Sequence, residues 1–196
     1  DRRVRANVAL FRMDWRDVQI TTVDRTTGLV FTDNAGKARI QGVELDLAAR
    51  VGRFDLTAGL SYLDNKIQEF VDSTGFDQSG KPLPDAAEFS SSVSVQYTQP
   101  LVGGTEGFVR GTFIHTTERL EDLIEGGVDP VQYAPGYQRF DLRAGLQNKG
   151  LRLELFAENL LDAKIATGIQ TAGASLAGTL IATFPRRAGV RLSVTY

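Results

Sequence analysis

Apolar and polar residues alternate with a period of two through most of this chain, and that pattern limits its fold more than any other feature. Successive side chains of a strand point to opposite faces, so such a period marks strands with one apolar and one polar side. Phe54, Leu56, Ala58, Leu60 and Tyr62 alternate with Asp55, Thr57, Gly59 and Ser61. Val43, Leu45, Leu47 and Ala49 alternate with Gly42, Glu44, Asp46 and Ala48, and Ser91, Val93, Val95 and Tyr97 with Ser90, Ser92, Ser94 and Gln96. The pattern returns in Phe140, Leu142, Ala144 and Leu146, then in Leu151, Leu153, Leu155 and Ala157, and finally in Val190, Leu192, Val194 and Tyr196. Arg5 to Gln19 and Phe108 to His115 also read as strands, but carry apolar residues on both sides, which leaves their outward faces unassigned. The sequence therefore predicts an all-β chain of about eight strands, many near the roughly 9–11 residues that cross a bilayer when tilted.

The connections alternate too. Arg50-Val51-Gly52-Arg53, Val102-Gly103-Gly104-Thr105 and Asn148-Lys149-Gly150 are short and Gly-bearing, as hairpin turns require. Thr21 to Ala35, Gln68 to Glu88, Thr117 to Tyr137 and Thr167 to Pro185 are long and polar. Short turns at one end and long loops at the other is the layout of an outer-membrane barrel, whereas a soluble β-sandwich has shorter strands and mixed loop lengths. The 196 residues include one His and no Cys, which removes disulfides, thiolate metal sites and Cys nucleophiles. A net charge of −2 supplies no basic field for nucleic acid. No apolar run approaches the roughly 18 residues of a spanning helix, and Asp1-Arg2-Arg3-Val4 does not read as a signal peptide. The polar faces carry Glu44, Asp46, Asp55, Arg139, Asp141, Arg143, Arg152, Glu154 and Glu158, and are expected to face the lumen. Phe54, Tyr97 and Tyr196 lie beside the short turns, where an interfacial aromatic belt sits, and Trp15 and Tyr62 are candidates for the opposite belt.

Several local patterns follow one another in a particular order. Phe11 to Gln19 has an early Phe and a late Asp-x-Gln. Asn34-Ala35-Gly36 precedes Gln41-Gly42-Val43-Glu44-Leu45, and Leu60-Ser61-Tyr62-Leu63-Asp64 and Tyr97-Thr98-Gln99-Pro100-Leu101 come next. Phe140-Asp141-Leu142-Arg143-Ala144-Gly145 leads into Leu153-Glu154-Leu155-Phe156-Ala157-Glu158-Asn159-Leu160-Leu161-Asp162, and Phe184-Pro185-Arg186-Arg187-Ala188-Gly189-Val190 opens a strand ending at Tyr196. Together these resemble the C-terminal β-barrel region of TonB-dependent outer-membrane receptors. The chain departs from that pattern at Ala86-Ala87-Glu88, where the family often has Pro, at Lys164-Ile165, where it often has Tyr, and at Tyr196, where Phe is commoner. The departures leave the ligand class open.

The resemblance implies a transmembrane antiparallel β-barrel of about 22 strands enclosing a plug domain. Residues 1–196 would form about the last eight strands, without plug or TonB box. The alternative is a self-contained eight-stranded barrel with a structural or adhesive role, which would close with its interior filled by side chains. The resemblance further implies the cell outer membrane of a Gram-negative bacterium and a receptor, not an enzyme, without cofactor. Its partners would be outer-membrane lipid, the TonB complex (through the missing plug), the barrel-assembly machinery and a small-molecule or metal-chelate ligand, with no nucleic acid. Iron siderophores, cobalamin, haem and plant- or sugar-derived compounds all remain open.

Loop position and polarity select Arg119, Asp122, Glu125, Tyr133 and Tyr137 as candidate ligand contacts. Leu192, Val194 and Tyr196 resemble the signal read by the barrel-assembly machinery. Glu44, Asp46, Glu154 and Glu158 could be paired carboxylates for acid–base work, but lumen-facing ion pairs explain them more simply. Asp122, Glu125 and Asp129 with Gly126-Gly127 lack EF-hand spacing and read as an acidic loop. His115 has no partner ligands and reads as strand-end polarity. Ser90-Ser91-Ser92 has no accompanying His, so a lipid hydrolase is a distant possibility. Asn159 and Asp162 are expected to bond local backbone.

Overall fold

A computed structural model describes residues 3–23, 29–72, 74–124, 132–171, 178–183 and 185–195. Twelve strands and one 3-10 turn make up its regular structure, with no α-helix among the described residues. Eight strands form one antiparallel meander: β1 (Val4–Val23), β2 (Val30–Val51), β3 (Phe54–Glu69), β4 (Phe89–Pro100), β5 (Glu106–Thr116), β8 (Tyr137–Asn148), β9 (Leu151–Glu158) and β12 (Arg187–Val194). The others, β6 (Arg119–Ile124) with β7 (Gln132–Ala134) and β10 (Ile165–Thr171) with β11 (Gly178–Thr183), are hairpins set into the long connections. The short connections are turns as expected: Gly52, Gly103, Gly104, Lys149 and Gly150 all have positive φ, a backbone that glycine adopts without steric penalty.

Exposure in this sheet is inverted relative to a water-soluble fold. On the apolar face Leu10 is 81% exposed and Leu192 63%, whereas Glu154 on the polar face is 3% exposed. An apolar sheet face this extensive is stable against hydrocarbon and not against water. We call it the outer face and the polar one the inner face. Cross-strand register stacks it in rows over β1, β2 and β3: Val4–Ala49–Leu56, Ala6–Leu47–Ala58, Val8–Leu45–Leu60 and Leu10–Val43–Tyr62. One row further up, the outer face changes to Arg12–Gln41–Asp64, then Asp14–Arg39–Lys66. From Phe54 to Tyr62 the apolar run of β3 spans about 27 Å along the strand, or about 21 Å along the membrane normal at a tilt of about 40°.

This register places the segments whose faces the alternation left open. In β1 the outer residues are Val4, Ala6, Val8 and Leu10, and Phe11, Met13 and Trp15 are inner. Trp15 pairs with Ala38 and so does not belong to an outer belt, while Tyr62 does lie on the outer face. In β5, Val109, Phe113 and His115 are outer and Phe108 inner. Three inner phenylalanines each cover a glycine directly opposite: Phe11 over Gly42, Phe108 over Gly145 and Phe156 over Gly189.

The loops expected at 21–35, 117–137 and 167–185 are partly strand. β1 and β2 stay paired up to Val23 and Val30, well above the apolar rows. Alternation is silent there because a strand projecting beyond the bilayer has water on both faces.

Candidate functional site

The inner face carries two features. The first is an ion-pair lattice across β8, β9 and β12. Glu154 accepts Arg143 at 3.3 Å and Arg152 at 2.9 Å, with Arg191 at 3.7 Å. Glu158 accepts Arg143 at 2.9 Å and Arg187 at 2.6 Å, with Arg139 at 3.9 Å. Arg139 also forks onto Asp141, both bonds 2.8 Å long, and Arg152 lies 4.0 Å from the Phe108 ring centroid. Each carboxylate is enclosed by guanidinium groups, and the lattice ties β8, β9 and β12 together on the inner face. Glu44 and Asp46 are inner as well, and exposed.

The Asn159–Asp162 turn anchors this lattice. Asn159 has positive φ; its backbone N–H donates to Asp141 Oδ1 at 2.9 Å and its side chain bonds both N–H and C=O of Ala163. The expected backbone bonding holds for Asn159. Asp162 instead pairs with Arg186 at 3.4 Å.

The second feature lies above the apolar rows, at the long-loop end. Residues 70–72 and 74–88 fold back onto the inner face of β2 and β3. Val18, Ala38, Ile67, Phe70, Leu83, Leu120 and Leu123 form one buried cluster there. Backbone bonds tie the segment down: Leu63 N to Glu88 O, Ile67 N to Lys81 O and Asp85 N to Leu120 O, with Leu83 N donating to Asn65 Oδ1 at 2.6 Å. Asp72 is the hub of the loop's tip, its carboxylate accepting from Thr74 N, Thr74 Oγ1, Phe76 N and Gln78 Nε2. Asp77 caps the same loop by accepting Ser79 N–H, and Ser79's hydroxyl and amide hold its carboxyl below the usual range. Beside the cluster a cleft of about 370 Å3 opens, lined by Trp15, Ile40, Leu63 and Leu83 with Asn65, Asp85 and Glu121 at its polar side. Trp15 is 46% exposed on this inner wall.

Residues 1–160 match the family described as TonB dependent receptor-like, beta-barrel. The chain belongs to that family. Its fold is that of solved TonB-dependent receptors. It superimposes on the ferric yersiniabactin uptake receptor FyuA from Yersinia pestis with a TM-score of 0.74 at 19% identity, over 97% of this chain and 27% of that one. The siderophore receptor PiuA from Acinetobacter baumannii gives 0.68 at 20% identity over 98% and 26%, and the copper transporter OprC 0.73 at 15% identity over 99% and 29%. The chain thus spans about a quarter of the length of the receptors it matches. Compared by sequence with curated proteins, it has no significant match.

Within this receptor wall the sequence-selected residues separate. Arg119 is mostly buried and pairs with Glu121 at 2.7 Å. Tyr133 lies one residue across the hairpin, opposite Leu120, and is exposed; Tyr137 opens β8 opposite Thr116, on the inner face. These three share the β6–β7 hairpin and its root. The backbone of Asp122 pairs with Gln132 in the same hairpin, while Glu125 and Asp129 lie outside the described residues, as does Tyr196. Leu192 and Val194 are outer, opposite Leu153 and Leu151. His115 is outer, 5.9 Å from the Phe89 ring, and among the described residues no acidic or His cluster is placed to hold a metal ion. Trp15 is the mouth residue that sequence reasoning missed. The signal was present in Arg12 and Asp14, whose charge ends the outer apolar run at Leu10 and leaves Phe11, Met13 and Trp15 as inner.

Proposed function

We propose that this chain is part of the barrel wall of a receptor in the outer membrane of a Gram-negative bacterium that binds a scarce solute and imports it with energy supplied through TonB. Further strands complete the barrel and a plug occupies it. Leu192, Val194 and Tyr196 form the signal for the assembly machinery. The observation that carries the reading is the inner cleft beside Trp15: a half-exposed indole, apolar walls and a few polar groups above the membrane is the composition of a small-molecule site. Tyr133 and Tyr137 extend that wall, and Arg119 holds Glu121 in place.

The test is uptake by cells carrying the full-length receptor as their sole transporter of this class. A panel of labelled ferric siderophores, cobalamin and haem is offered, with and without TonB. One class is expected to enter in a receptor- and TonB-dependent way, and Trp15→Ala to weaken its binding by about tenfold or more, the loss of one large apolar contact. Uptake of every compound at the level of cells lacking the receptor would overturn the reading.

A further inference from the structure

The cleft beside Trp15 carries charge of one sign. Positive φ at Asp17 interrupts the alternation of β1, and both Trp15 and Val18 line the cleft. Its polar lining among the described residues is Gln19, Asn65, Asp85 and Glu121, with two carboxylates and no Lys or Arg. Glu121 is offset by Arg119 at 2.7 Å. Asp85 is exposed and meets no cation among the described residues. The cations nearby are engaged elsewhere: Lys37 with Glu69, Arg39 with Asp14 and Lys66 with Asp64 on the outer face, and Lys81 over the Phe76 ring at 5.2 Å.

Asp85 is also held in place. Its φ of 61° lies in the left-handed region, which costs a non-glycine residue free energy and persists only where neighbours enforce it. Two hydrogen bonds do so, Leu83 N–H to Asn65 Oδ1 at 2.6 Å and Asp85 N–H to the Leu120 carbonyl at 2.8 Å, and Pro82 and Pro84 stiffen the stretch. A carboxylate fixed this way in a cleft with a half-exposed indole offers a cation two attractions, the negative face of the ring and a charge-assisted hydrogen bond. An anionic solute would lose water beside the same carboxylate with no cation to replace it. One uncompensated carboxylate is too few oxygen ligands for a bare metal ion, so the cation that fits is organic.

We propose that this cleft selects solutes bearing a protonated amine, the ammonium held by the Asp85 carboxylate and the Trp15 ring and the apolar body by Ile40, Leu63 and Leu83. The proposal rests on the reading of this cleft as the solute site and adds the charge of what it takes.

The experiment uses the full-length receptor in an uncharged detergent, labelled with 5-fluorotryptophan, the Trp15 fluorine resonance being assigned by its loss in Trp15→Phe. Three probes share one indole body and differ in charge: tryptamine is a cation, N-acetyltryptamine neutral and indole-3-acetate an anion. Each is titrated while the Trp15 resonance is followed. Tryptamine is expected to bind at least about tenfold tighter than N-acetyltryptamine, with indole-3-acetate weakest, and the preference to shrink as salt is raised. Asp85→Asn is expected to weaken tryptamine about tenfold and leave N-acetyltryptamine unchanged. Asn tolerates positive φ and keeps the backbone N–H bond to Leu120, and retained heat-modifiable migration on gels confirms that the variant barrel is folded. Equal binding of the three probes, tightest binding of the anion, a preference that survives Asp85→Asn, or a Trp15 resonance that no probe moves would each overturn the proposal. The readout needs neither uptake nor TonB. A tryptamine preference in a receptor that imports nothing would therefore fail the import reading alone, and import without a charge preference would fail this proposal alone.

Discussion

Adding a single methyl group at Gly145 tests the inner packing of the wall. Gly145 lies on β8 between Phe108 of β5 and Glu154 of β9. A Cβ there would stand 2.8 Å from Phe108 Cζ and 2.9 Å from its Cε1, and would overlap the Leu153 carbonyl oxygen. Phe108 is 4% exposed and holds Arg152 over its ring, so it has no free space to turn into without releasing that cation. Overpacking costs about 1–3 kcal/mol, and loss of a partly desolvated cation–π contact about 0.5–2 kcal/mol. Gly145→Ala should therefore destabilise the barrel by about 2–4 kcal/mol. Gly59→Ala is the control, because its Cβ would meet only Asp46 Oδ1 at 3.7 Å on the same inner face. It should change stability by less than about 0.5 kcal/mol. The assay is urea unfolding of the full-length receptor in micelles. Adding Phe108→Leu to Gly145→Ala should recover the ring's share but not the carbonyl overlap. If Gly145→Ala proved as benign as Gly59→Ala, the close approach of β5, β8 and β9 at this point would be refuted.

Two further outcomes follow from the same register. Leu47→Arg, on one of the two middle apolar rows, should cost about 2–4 kcal/mol, and Thr57→Arg on the inner face within about 0.5 kcal/mol of nothing, as measured by the same unfolding assay; equal costs would mean the faces are misassigned. Asp14, on the charged rows, is held below the ordinary carboxyl value of 3.8 by Arg39 first and Arg12 second. Its folded-state value is the lower one, so its stabilising contribution is complete above the ordinary Asp range and disappears as pH falls through the depressed value. Carboxyl NMR titration of Asp14 should give a midpoint below 3.8, and one at or above it would exclude the Arg39 bond.

What the sequence made legible was whatever the bilayer enforces. Between Phe54 and Tyr62 one face meets hydrocarbon and the other the lumen, so solvent alone writes the two-residue period. Above Leu10, Val43 and Tyr62 that contrast ends, and so did the legibility: β1 and β2 run on as polar strands through a region that composition marks as loop. The Glu154 and Glu158 lattice was foreseen as inner ion pairs, but not which arginines close it, since Arg187 and Arg191 arrive from β12, about 30–40 residues away in sequence and directly opposite in register. The mouth was hidden for a different reason. Residues 70–88 have little period of their own, and their inward fold is set by Ile67, Leu83 and Leu120 meeting across three separate segments. Arg119, chosen for its exposed-looking loop position, is buried against Glu121 by that same collapse.

The two ends of the sheet distinguish a wide barrel from a small closed one. An eight-stranded barrel needs β1 against β12, yet these stand far apart in the strand order, β12 at one end and β1 seven places away. Beyond β2, the other side of β1 pairs among the described residues only with the tip of β6, at Thr22 and Val23. Val4 to Leu10 and Arg187 to Val194 therefore each present about four outward N–H and C=O pairs at the level of the apolar rows. Hydrocarbon cannot satisfy these groups, and at even about 2 kcal/mol apiece roughly sixteen of them cost about 30 kcal/mol. That exceeds the roughly 5–15 kcal/mol net stability of an ordinary domain. The wall can rest in a membrane only if both edges pair with further strands, so a barrel wider than these eight strands follows from the backbone alone.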